Sequence, residues 1–213
     1  MFENRKIAFI GPGAMAEAMI NGLIRTHVAK AEVLLAAGPG MERLKFLQDR
    51  YEIHIFTDNA EAARQADLVV LSVKPQRLDR VLAGLKGSVQ PASLVLSIVA
   101  GASIDKISRG LNHKIIVRSM PNTPAQIGEG ITVWTASPDV SEEQREMTRQ
   151  ILGALGEQVF VEEETYLDMA TALSGTGPAY VFLFMEAMVD AGVHMGFPRR
   201  MAEQLVAQTG RGS

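Results

Sequence analysis

The chain has no cysteine, which excludes disulfides, thiolate nucleophiles and cysteine-based zinc sites together and suits a reducing cytoplasm. Its four histidines, His27, His54, His113 and His194, never stand two or four residues apart, so they advertise no metal site. Uninterrupted apolar runs are short. The most apolar stretch, residues 180–189, is broken by Glu186 and falls below the roughly 18 residues that a membrane span needs. Basic excess is lacking too. Lys and Arg number 21 against 24 Asp and Glu, a net charge of -3, without the electropositive footprint of a nucleic-acid binder. The pair Arg199 and Arg200 follows Pro198 and reads as a solvated helix start. The opening MFENRKIAFI becomes strand-like at once and carries no cleavable secretory pattern, so a cytoplasmic location is expected. The G-x-S-x-G, H-E-x-x-H and G-x-x-x-x-G-K-[ST] motifs are all missing. Such a chain is expected to orient a cofactor that performs the chemistry.

What is present is a large apolar fraction, 47%, broken into short aliphatic runs at 6–10, 33–36, 53–56, 68–73, 94–98 and 115–119. These runs show little alternation, as parallel strands covered on both faces should. Helical spacing fills the gaps, with Asp58 a predicted N-cap. Alternating strand and helix imply an α/β fold built on a doubly wound parallel sheet. Residues 130–137 read as a further strand. Ser141 and Gln144 then form a capping box before a helix whose stop is bracketed by Gly153 and Gly156, and 158–164 reads as a last strand. A sheet domain over 1–162 and a helical domain over 163–213 are expected. The helix through 180–189 is apolar nearly all round. Some 50 residues make a marginal domain, so these helices are expected to be covered by a second copy of the chain. The closing TGRGS interrupts a helical pattern, and the natural protein is expected to continue.

The first strand ends in Gly11-Pro12-Gly13, and Ala16 takes the place of a third glycine. Strand, G-x-G-x-x-A and helix in this order form a dinucleotide fingerprint, with the pyrophosphate on the amides of the helix start. An NAD enzyme usually ends the second strand in an acid. Here Ala36, Ala37 and Gly38 are uncharged, and the first acid, Glu42, lies in the next helix. That absence favours NADP(H), with NAD(H) as the alternative. Arg43 stands either within reach of a 2′-phosphate or simply on the helix face. Three more strand ends should converge on the same edge: SVKPQ with Lys74 and Pro75, SIVAG with Gly101, and RSMPNTPAQIGEG with Asn122. In ALSGTGPAY, Pro178 suits a first helical turn, with Thr176 or Gly177 as its cap and a carboxylate site at the helix start.

Taken in this order and spacing, FIGPGAMAEAM, SVKPQ, RSMPNTP and ALSGTGPAY resemble the pyrroline-5-carboxylate reductase family over essentially the whole chain. The resemblance implies a Rossmann domain followed by a helical domain that interlocks with its twin in a dimer or higher oligomer. It implies hydride transfer from NAD(P)H to the C=N carbon of 1-pyrroline-5-carboxylate, giving L-proline in the last step of proline biosynthesis. By the same resemblance Ile10, Gly11, Pro12, Gly13, Ala14 and Met15 meet the pyrophosphate. Ala37 and Asn59 lie on the adenosine side. Val73, Lys74, Pro75, Ala100 and Gly101 line the nicotinamide side, and Asn122 closes over the reacting face. Asn122, Thr176, Gly177 and Pro178 are expected on the substrate side. The family often has Asn or Gln where this chain has Ala14. It also continues into a Ser-Pro-Gly-Gly-Thr-Thr loop that holds the substrate carboxylate and supplies a hydroxyl, so no catalytic residue is assigned among these 213 positions, and little or no turnover is expected if the chain stops short of it. A β-hydroxyacid dehydrogenase would need a lysine in the second domain, which 165–209 lack. A nucleotide-binding module without catalysis is the other alternative. No metal, nucleic acid or membrane is expected.

Overall fold

A computed structural model describes residues 2 and 5–212; Ser213 of the closing TGRGS and Met1, Glu3 and Asn4 of the opening segment lie outside the described residues. Eight strands form one sheet: β1 (Ile7–Ile10), β2 (Leu34–Ala37), β3 (His54–Phe56), β4 (Leu68–Leu71), β5 (Leu94–Ser97), β6 (Ile116–Met120), β7 (Gly130–Ala136) and β8 (Gly156–Phe160). Their spatial order is β3-β2-β1-β4-β5-β6-β7-β8. Winding therefore runs outward in both directions from β1 and β4, which lie side by side with Ile10 opposite Leu71.

Helices α1 (Ala14–Arg25), α2 (Met41–Tyr51), α3 (Asn59–Gln65), α4 (Leu78–Leu85), α5 (Ile104–Leu111) and α6 (Glu142–Gly153) cover the two faces. Side chains along β1 divide between them, as the period of two requires. Ile7 and Phe9 pack with Met19 and Leu23 of α1, Leu44 and Leu47 of α2, and Ile151 of α6. Ala8 and Ile10 pack with Ala62 and Ala63 of α3, Leu82 of α4 and Ile107 of α5. Both layers are buried, and this explains the unalternating apolar runs. The expected caps are present: the Asp58 carboxylate accepts from the Ala60 N–H at 2.9 Å, and Ser141 and Gln144 close their reciprocal box.

Two expectations are corrected. β7 runs antiparallel to β6, with Ser119 opposite Trp134, although β8 pairs parallel with β7. The connection between β6 and β7 holds only one short helical turn, Thr123–Ile127, too little for the crossover that a parallel return needs. β8 also begins at Gly156, earlier than the 158–164 run suggested. Gly156 opens the strand at φ 130° with the Gly130 backbone pressed against it, and with Gly153, the last residue of α6, it brackets the helix stop as expected.

Beyond β8 the chain is helical: α7 (Tyr166–Ala170), a wide turn at Thr171–Gly175, α8 (Gly177–His194) and α9 (Arg199–Gly212). α8 and α9 share only a small buried cluster of Val189, Ala202 and Val206. Tyr180, Phe182, Leu183 and Phe184 are 57%, 65%, 66% and 67% exposed. The continuous run Tyr166–His194 is longer than the 180–189 stretch. By length and composition alone it is apolar enough to cross a membrane, an 18-residue window within it having a mean hydropathy of 1.2.

Candidate dinucleotide site at the carboxyl edge of the sheet

The crevice opens where the loops after β1 and β4 diverge to opposite faces of the sheet, the place where open α/β sheets bind ligands. Gly11 takes φ 95°, a conformation that an L side chain rarely adopts. A Cβ there would stand 2.5 Å from Val73 Cγ1 and 3.0 Å from the Ser72 carbonyl. The two loops are stitched together: the Ser72 N–H donates to the Ile10 carbonyl at 2.9 Å, and its hydroxyl donates toward the Gly11 carbonyl at 2.9 Å. The Gly11 N–H in turn donates to the Ala37 carbonyl at 2.9 Å. The turn is thus anchored to both neighbouring strands before α1 begins.

Gly13 is the opposite case. Its φ is ordinary, it is exposed, and a Cβ built on it would meet nothing within 4 Å. Gly13 stands at the N-cap of α1 with no side chain to cap the helix. The first amides of a helix lack intrahelical partners, so those of Ala14 and Met15 stand over open space at the positive end of the dipole.

Around this turn the second strand ends at Ala37 without a carboxylate. Arg43 is brought onto the turn itself. Its Nε–H donates to the Pro12 carbonyl at 2.8 Å, and its guanidinium pairs with Glu17. Glu17 also accepts from the Tyr51 hydroxyl at 3.0 Å and lies 3.5 Å from Arg50. Burial by itself raises the Glu17 pKa. The hydrogen bonds from Arg43 and Tyr51 and the charges of Arg43 and Arg50 outweigh it and hold the carboxyl below its ordinary value. The same burial, with the Glu17 bond and charge, pushes the Tyr51 phenol up. Arg43 is therefore more than a solvated helix-face charge.

Asn59 is the first residue of α3, on the same edge. Its Oδ1 is buried without a hydrogen-bond partner, a condition shared among the described residues only by Thr132 Oγ1 on β7. A buried amide oxygen is costly to leave unpaired, so this atom fits a ligand hydroxyl. The open amides, the bare Gly13 and the orphaned Asn59 oxygen together fit a dinucleotide laid across the edge.

Val73, Lys74 and Pro75 follow β4, with Lys74 exposed and Pro75 opening a single helical turn, Pro75–Arg77. Ala100 and Gly101 follow β5. Gly101 takes φ 70° and faces open space, leaving the backbone accessible to a flat ring.

The side-chain amide of Asn122 is not simply held open toward a ligand. Its Nδ2–H donates to the Ser174 carbonyl at 3.2 Å, and its Oδ1 accepts from the Ile131 N–H at 3.0 Å. Thr176 stands at the N-cap of α8, as expected, but its side chain makes no capping bond. Its hydroxyl donates back to the Thr171 carbonyl at 2.6 Å. Gly177 and Pro178 begin α8 beside it.

Sequence reading missed three other contributors. One is Ser72. Another is Glu17 with Tyr51. The third is Arg118, 5% exposed on β6, which pairs with Glu164 at 2.9 Å and Asp168 at 2.7 Å. Glu164 also accepts from the Ile104 N–H of α5 at 2.8 Å. A lone arginine inside the apolar string IIVRSM was the available signal, because a buried charge demands a partner.

Comparisons with known proteins follow this geometry. Residues 6–101 match the family model described as NADP oxidoreductase, coenzyme F420-dependent, and residues 164–213 match pyrroline-5-carboxylate reductase dimerisation. The pyrroline-5-carboxylate reductase of Synechocystis is 41% identical over 204 residues, covering 96% of this chain and 76% of its own. That of Pseudomonas aeruginosa is 40% identical over 209 residues, covering 98% and 76%. Among solved structures, the Coxiella burnetii pyrroline-5-carboxylate reductase superposes with a TM-score of 0.90 at 34% identity, over 99% of this chain and 78% of that one. The Plasmodium falciparum pyrroline carboxylate reductase with NADP bound gives 0.88 at 33%, over 100% and 78%. On this evidence the chain belongs to the pyrroline-5-carboxylate reductase family.

Proposed function

We propose that this chain reduces 1-pyrroline-5-carboxylate to L-proline, using NADPH in preference to NADH, and works as a homodimer or higher oligomer in the cytoplasm. The observation that carries the reading is the Gly11–Gly13 turn at the divergence of β1 and β4, locked from behind by Ser72 and open in front at Gly13. Relatives named pyrroline-5-carboxylate reductase align with nearly the whole chain.

Reduced nicotinamide, when bound, supplies the hydride that the C=N carbon accepts. The chain's own part is placement. Amides of Ala14 and Met15 hold the pyrophosphate, with Ile10, Gly11, Pro12 and Gly13 shaping the turn behind them, the Gly13 N–H being tied back to the Gly11 carbonyl at 2.8 Å. Asn59 Oδ1 accepts from a hydroxyl of the adenosine half. Ala37 leaves room for a 2′-phosphate, with the Arg43 guanidinium close to the turn. Val73, Lys74 and Pro75 wall one side of the ring pocket, and Ala100 and Gly101 the other. A protonated imine is already electrophilic, so alignment matters more than a strong acid. Thr176, Gly177 and Pro178 stand on the substrate side, where the start of α8 favours a carboxylate. The exposed apolar face of α8 is covered by a second copy, which gives the Tyr166–His194 run a protein partner in place of lipid.

The test is loss of NADPH absorbance with and without 1-pyrroline-5-carboxylate, with proline confirmed by amino-acid analysis. Turnover dependent on the imine is expected. Binding of NADPH without turnover favours a bare nucleotide-binding module, and no binding of either pyridine nucleotide overturns the reading entirely.

A further inference from the structure

We propose that Asn122 is a positioning residue, whose amide fastens the turn at 174–178 to the carboxyl edge of the sheet and so sets where the imine substrate meets the ring pocket. This rests on the reductase reading above.

The turn interrupts the regular helical ladder and leaves one carbonyl to be satisfied from outside. The Thr176 N–H donates to the Thr171 carbonyl, five residues back, at 2.9 Å, so the helix widens just before α8 begins. Such one-turn widenings interrupt the regular ladder and are often found at functional sites. The Ser174 carbonyl would ordinarily accept from the amide four residues on. That residue is Pro178, which has no N–H. Asn122 Nδ2 takes up this role from outside the helix, at 3.2 Å.

The other end of the amide is tied as firmly. Oδ1 accepts from Ile131 at the start of β7, at 3.0 Å, so Asn122 cannot swing without breaking a strand contact. Packing reinforces the bracket: a Cβ on Gly175 would stand 2.7 Å from Met120 Cε, two residues upstream of Asn122. One side chain therefore links β6, β7 and the entrance to α8. The walls at Ala100 and Gly101 follow β5, the strand paired with β6. A shift of the turn moves the substrate side against a ring pocket that stays still. Nδ2 retains a second hydrogen, so direct contact with the cofactor is the rival role that the test must separate.

Asn122→Asp keeps the acceptor for Ile131 and sets an oxygen against the Ser174 carbonyl. The KM for 1-pyrroline-5-carboxylate should rise roughly tenfold with a fall in kcat, because one hydrogen bond is replaced by a repulsion. The NADPH Kd, measured by titration calorimetry, should stay within about twofold because the Gly11–Met15 turn is untouched. Amide exchange should accelerate across 171–179 and not across 14–25. An NADPH Kd that rises in step with the imine KM overturns the proposal in favour of cofactor contact. An unchanged imine KM or unchanged exchange at 171–179 also overturns it. If the unaltered chain reduces no imine, the reductase reading fails on its own, and the exchange comparison still decides whether Asn122 holds the turn. Asn122→Ala, which removes both bonds without adding repulsion, replaces the aspartate variant should that one not fold.

Discussion

The sheet and the helical arm are both apolar, but they treat their apolar surface differently. β1, β2, β4 and β5 are buried along their whole lengths, sealed by helices from the same chain. α8 is 18 residues long, yet only Val189 on it is buried. The first region contains its own core, whereas the second presents half of a core. An aromatic run like Tyr180–Phe184 is too large an exposed patch for a finished monomer. Here it matches a segment that the family uses for dimerisation.

The largest expected effect follows from that contrast. Phe184→Glu places a charge in the middle of the uncovered face, and the particle mass by light scattering should fall toward that of one chain. The sheet's thermal transition should survive, because Phe184 takes no part in either sheet cluster. An unchanged mass would mean that α8 faces something other than a second copy.

Next come the two glycines of the turn. Gly13→Ala should lower NADPH affinity on the order of a hundredfold by occupying the phosphate's space, yet leave stability within about 0.5 kcal/mol. Gly11→Ala should lose affinity and also about 1–3 kcal/mol of stability, since φ 95° strains any side chain. Calorimetric titration and chemical denaturation separate the two. Equal stability losses would refute the division between a packed and an open glycine.

The joint between the regions comes third. Glu164→Ala with Asp168→Ala leaves Arg118 buried and unpaired, at an expected cost of about 3–5 kcal/mol in urea unfolding. Arg118→Met should cost less, because the carboxylates it abandons are partly exposed. The opposite ranking would show that Arg118 is reached by water.

Smallest is the pH effect at Glu17. Its pKa is depressed in the folded chain, so its contribution is present above the ordinary carboxylate pKa and is lost as pH falls through the depressed value. Glu17→Gln should therefore be less stable than the parent at neutral pH, and the gap should close on acidification. A gap that persists at low pH would mean that the bonds from Arg43 and Tyr51 do not depend on the charge.

Much of the fold was legible in the string of residues. Leu68 to Leu71 reads as a strand sealed on both faces because nothing polar interrupts it. Asp58 and Ser141 announce their helices because a cap needs only a neighbour two or three residues away. The Gly11–Gly13 turn is legible for the same reason. The direction of β7 was not, because it depends on how little chain separates it from β6. The bonds of Asn122 were equally hidden, since their partners lie 9 and 52 residues away.

From the sequence alone came the two-faced strands, the caps, the phosphate turn and the apolar excess of the last helices. Each of these rests on bonds or periodicities spanning a few residues. Only the tertiary structure decided that β7 turns back, that Ser72 locks the turn, that Asn59 keeps an unpaired oxygen and that Arg118 ties the arm to the sheet. Those outcomes depend on which distant groups the packed layers bring within hydrogen-bonding distance, and no local pattern encodes that.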